Sequence, residues 1–76
     1  MPRITRNEML ALNFMHRLYE ATEGRPNRWR MLAGIQITRA ALELAVERGW
    51  LVVDKGEHNV ALTETGRERV RRWRAE

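Results

Sequence analysis

Serine and cysteine are both absent from the 76 residues, so the commonest activated nucleophiles are missing. His16 and His58 are far apart in sequence and belong to no HExxH or CxxC pattern, which gives no metal set. Asp54 is the only aspartate and reads as a turn residue. The five glycines are dispersed, each at an expected helix end or turn, and none forms a phosphate-cradling loop. The expectation is a protein that is not an enzyme and carries no cofactor or metal. What the chain does hold in quantity is arginine: of 14 basic residues, only Lys55 is a lysine. A guanidinium makes bidentate contacts with phosphate and with guanine, chemistry suited to a nucleic-acid partner. A GC-rich coding sequence also raises arginine content, so the net charge of +4 is the firmer electrostatic argument.

The elements that would position these cations centre on residues 36–66. Thr38 has the chemistry of an N-cap, and Ile37 and Leu42 occupy the positions of a hydrophobic staple. Ala41, Leu42, Ala45 and Val46 give the helix an apolar stripe, and Gly49 follows Arg48 where a left-handed cap would end it. The spacing predicts a helix over 38–48. Trp50 to Val53 is aromatic and β-branched, which favours strand. Asp54-Lys55-Gly56-Glu57 is turn chemistry. His58, Val60 and Leu62 then alternate with Asn59, Ala61 and Thr63, the period of a half-buried strand.

This order resembles the winged helix-turn-helix of bacterial transcription regulators, in particular the MarR and PadR types. The residues that carry the resemblance are Glu47-Arg48-Gly49-Trp50-Leu51-Val52 and Leu62-Thr63-Glu64-Thr65-Gly66-Arg67, the second being the more distinctive. The resemblance implies an α+β, mostly α, winged-helix fold: about three helices, a two- or three-stranded wing over 50–62, and a C-terminal helix.

Around that unit, Ile4 to Met9 is a dense helix start, with Thr5 and Glu8 as a capping box and Ile4 and Met9 as a staple. Leu10, Ala11, Phe14, Met15 and Leu18 then share a face, and Met9, Phe14 and Met15 read as core filling. Gly24 and Pro26 end that helix. Asn27 to Gly34 reads either as a brief helix carrying Trp29, Met31, Leu32 and Ala33, or as a short strand over 28–31 that pairs with the wing. The helix is slightly preferred, with Trp29 beneath it in the core. Trp50 is expected in the core at the start of the hairpin. Thr63 or Thr65 caps a last helix whose apolar line is Leu62, Gly66, Val70 and Trp73. With 43% hydrophobic and 32% charged residues and no long apolar run, the expectation is one soluble domain over 1–76. The N-terminus lacks a signal-peptide apolar region, so the expected compartment is the cytoplasm.

The resemblance implies that the 38–48 helix enters the major groove of duplex DNA by its N-terminal half while the wing lies along the backbone. That places Gln36, Thr38, Arg39 and Glu43 towards base edges, and Lys55, His58, Arg28 and Arg30 towards phosphates. Arg39 and Glu43 are also spaced as an i,i+4 ion pair, and Glu43 and Glu47 make the outward face mixed in sign. A winged helix used for protein contact is therefore the rival reading, and single-stranded RNA binding by aromatic stacking a weak third. The resemblance further implies a homodimer through terminal helices. Val70 and Trp73 would supply its apolar contact, with acidic residues such as Glu8 or Glu20 facing Arg71, Arg72 and Arg74.

Overall fold

Thr5 starts the first helix, α1 (Arg6–Ala21), by accepting the backbone N–H of Glu8 at 3.1 Å. The computed structural model describes residues 4–25, 28–32, 37–56 and 58–75. Ala11, Leu12, Phe14, Met15 and Leu18 of α1 are buried. That set is wider than one stripe because α1 packs against α2 (Arg39–Glu47), α3 (Glu64–Ala75) and the sheet. Met9, expected in the core, is instead half exposed. After α1, Glu23 takes the left-handed cap position at φ +56° and donates its N–H to the Glu20 carbonyl at 3.2 Å, and Gly24, one residue later than a simple glycine cap and also at positive φ, donates to the Tyr19 carbonyl at 2.9 Å.

The preferred helix over Asn27–Gly34 is corrected. Residues Trp29–Met31 form a strand, β1, that pairs antiparallel with β3 (Asn59–Leu62) in the register Trp29↔Ala61, Arg30↔Val60, Met31↔Asn59. The physical reason is backbone satisfaction. A one- or two-turn helix leaves most of its N–H and C=O groups unpartnered, whereas three residues laid along β3 use them in a ladder. Trp29 consequently lies in the sheet and is 49% exposed rather than sealed in the core. Asn27 and Gly34, expected as caps, lie outside the described residues. The described residues thus contain three helices and one three-stranded antiparallel sheet of order β1-β3-β2, with β2 spanning Leu51–Val53. This is an α+β fold, with one helix fewer among the described residues than expected. Among the described residues, no helix is long and apolar enough to cross a membrane.

Helix α2 follows its sequence signals closely. The Thr38 hydroxyl accepts the Ala41 N–H at 3.2 Å, and Gly49 has φ +75°. The Trp50 N–H reaches back to the Ala45 carbonyl at 2.9 Å. Ala41 and Ala45 are fully buried, and their small side chains let α2 sit close to α1. Leu42 and Ile37 pack half-buried on the core. Val46, expected in the apolar stripe, is 41% exposed.

The hairpin of β2 and β3 pairs Leu51↔Leu62, Val52↔Ala61 and Val53↔Val60. Leu51, Val60 and Leu62 are buried on its inner face. Trp50 is buried beside them, with the guanidinium carbons of Arg48 and Arg69 at 5.5 and 5.9 Å from its ring centroid. Thr63 then does three jobs at one position. Its hydroxyl oxygen accepts the Gly66 N–H at 3.0 Å, its O–H lies towards the Gly49 and Trp50 carbonyls, and its N–H donates to Trp50 at 3.0 Å. So Thr63, rather than Thr65, caps α3 and ties it to the exit of α2.

Candidate nucleic-acid interface

The N-terminal turn of α2 is exposed, and two of the expected base-facing residues are occupied there. Thr38 uses its hydroxyl oxygen as the helix cap. Arg39 Nε lies 3.3 Å from Glu43 Oε1, with both side chains about 70% exposed (72% and 69%). Gln36 lies outside the described residues. Arg39, Glu43 and Glu47 rim a shallow cleft floored by Leu42 and Val46 of α2 and Val53 of the hairpin. That face carries two carboxylates against one guanidinium.

The hairpin turn is organised by Asp54. Its Oδ1 accepts the N–H groups of His58 and Asn59 at 2.8 and 3.1 Å, and its Oδ2 accepts the Asn59 side-chain amide at 2.9 Å. The Asn59 side-chain bond is the largest influence holding this carboxyl below its ordinary value, followed by the Asn59 backbone. Partial desolvation acts the other way, and the His58 N–H and ring add smaller lowering contributions. The turn built this way presents Lys55 and His58 to solvent. The His58 ring lies against Gly56, where an added Cβ would stand 2.7 Å from the imidazole.

Arg28 and Arg30 separate in their roles. Arg30 donates from Nη2 to the Ala21 carbonyl at 2.6 Å, at the C-terminal end of α1, while its side chain stays exposed. Arg28 is exposed and makes no ion pair among the described residues. Both line a cleft with Arg25 and Trp29 at the end of α1, which shares no residue with the α2–hairpin cleft. Among the described residues, Arg28 and Arg30 thus line one cleft and Arg39 and Glu43 another. Comparison with protein-family models, curated proteins and solved structures finds no match.

Sequence reasoning missed Arg17. It lines a cleft beside Thr38 together with Asn13, Phe14 and Ile37, at the entrance to α2. Only the packing of α1 on α2 brings it there, and nothing local in sequence marks it. The expected dimer pair also divides. Val70 is fully buried, so it has no surface to offer a partner. Trp73 is half-buried against the core, edge-on to His16 at 5.9 Å. Glu20, expected to face arginines across an interface, lies 3.7 Å from Arg74 of its own chain. Glu8 likewise lies 3.7 Å from Arg48.

Proposed function

We propose that this protein is a small winged-helix DNA-binding protein, a transcriptional regulator that reads duplex DNA with α2 and grips the backbone with the 50–62 wing. The observation that carries the reading is the sheet order β1-β3-β2 around α2. A capped helix with an exposed N-terminal turn runs through Gly49 into a hairpin, whose second strand also takes a strand from before the helix. Arg39 reads bases, and Thr38 holds the helix start beside it. Lys55 and His58 at the wing tip and Arg17 beside Thr38 meet phosphates.

The Arg39–Glu43 pair does not oppose this role. An exposed i,i+4 pair stabilises by about 0.3–0.5 kcal/mol, whereas a bidentate guanine contact is worth about 1–3 kcal/mol. Releasing Arg39 from Glu43 therefore costs little beside what a guanine contact contributes. Glu43, released in the complex, accepts from a cytosine amino group or stays in solvent.

A second reading has its own observation. The α2–hairpin cleft is apolar at its floor and net acidic at its rim, through Glu43 and Glu47. That chemistry fits a protein partner with an apolar ridge and basic flanks, on a winged helix that does not bind DNA. Selection from a random duplex pool at moderate salt separates the two. Enrichment of a common motif supports DNA recognition, and a pool that stays random removes it.

A further inference from the structure

Among the three tryptophans, Trp50 is buried and Trp73 packs half-buried on the core. Trp29 differs, being 49% exposed within a strand. Its register partner on β3 is Ala61, too small to cover an indole. Trp29 lines an open cleft at the end of α1 with three guanidiniums, those of Arg25, Arg28 and Arg30, against the single carboxylate of Glu23. Arg30 is held by the Ala21 carbonyl. Arg25 lies 3.6 Å from Glu23, a pair weakened by the exposure of both side chains. Arg28 has no ion-pair partner among the described residues.

A flat π-surface with cations on either side of it in sequence is nucleotide chemistry. We propose that Trp29 is a stacking platform for an unpaired base of a single-stranded nucleic acid, with Arg28 and Arg25 holding the adjoining phosphates. Other occupants fit less well. A second copy of this chain would bring the same arginines towards each other across the cleft, a like-charge approach. An acidic peptide would satisfy the guanidiniums and leave the indole without a flat partner. Stacking is tolerant of sequence, because every base has a π-face. This cleft shares no residue with the α2–hairpin cleft, so single-strand binding here stands or falls separately from duplex recognition there.

The test titrates the full chain into a fluorescein-labelled oligothymidine of about twelve nucleotides and reads anisotropy at several salt concentrations. Wild type is expected to bind, and Trp29→Ala to bind roughly tenfold to hundredfold more weakly. Trp29→Phe, which keeps a ring and covers the case of an alanine variant that fails to fold, should retain most of the affinity. Arg28→Gln should flatten the salt slope by roughly 0.7. Oligoglutamate of matched charge should compete poorly. The proposal is overturned if wild type does not bind the oligothymidine, or if folded Trp29→Ala binds as well as wild type. It is equally overturned if oligoglutamate competes as well as the oligonucleotide. A Trp29→Ala effect on sedimentation alone would assign the face to a second copy.

Discussion

The backbone carbonyl oxygen of Trp50 occupies the space that a Cβ on Gly66 would need, and the overlap is with backbone, not with a movable side-chain tip. Glycine at 66 is thus what allows α3 to start against the exit of α2. Gly66→Ala is expected to destabilise the protein by about 1–3 kcal/mol, the range for a forced backbone shift. Urea unfolding followed by far-UV circular dichroism would measure it, and an unchanged midpoint would contradict the packing described.

Thr63 holds the same junction by hydrogen bonds. Thr63→Val keeps the shape and removes both the cap on Gly66 and the hydroxyl's contacts with Gly49 and Trp50. A loss of about 1–2 kcal/mol is expected. Thr65→Val, at the position that caps nothing, should change stability by less than roughly 0.5 kcal/mol.

The Asp54 carboxyl sets an acid limb on the stability of the hairpin. Its folded pKa is depressed below the ordinary 3.8, chiefly by Asn59. The stabilisation is therefore fully present above 3.8 and is lost as pH falls through the lower folded value. Thermal melts of wild type and Asp54→Asn across the acid range should differ above that value and converge below it. A gap that persists at the lowest pH would place the effect in packing rather than in ionisation.

Val70 and Trp73 should respond differently. Val70→Ala opens space in a fully buried site and should cost roughly 2 kcal/mol with no effect on sedimentation. If the protein self-associates through α1 and α3, Trp73→Ala is the variant that alters it, because Trp73 keeps surface beside Asn13 and Arg74. Sedimentation at tens of micromolar reads this directly. Monomer at every concentration would remove the homodimer.

What sequence made legible here is the local chemistry. Thr5, Thr38 and Gly49 each signal a helix end within four residues of where it acts, and each acts there, whereas at the end of α1 Glu23 takes the left-handed position beside Gly24. The Asp54 turn was legible for the same reason. β1 was legible only as the less favoured of two readings, because three residues have no period of their own and become a strand only through β3, which lies about thirty residues on. Preferring the helix there is also what put Trp29 in the core, whereas it is half exposed. Side-chain pairs between elements were equally hidden: Arg30 on Ala21, Arg48 with Glu8 and Arg74 with Glu20 depend on how α1 packs.

The most direct measurement titrates wild type, Arg39→Ala and Lys55→Ala against a selected duplex at several salt concentrations. DNA recognition by α2 predicts that Arg39→Ala loses about 1–3 kcal/mol and relaxes specificity at one base pair. Lys55→Ala should weaken binding to all sequences alike and reduce the salt slope by roughly one. If Arg39 serves only Glu43, its removal changes stability by a few tenths of a kcal/mol and affinity not at all. Wild type that shows no salt-dependent binding to duplex DNA would contradict the account and leave the acidic α2–hairpin cleft as a protein-docking face.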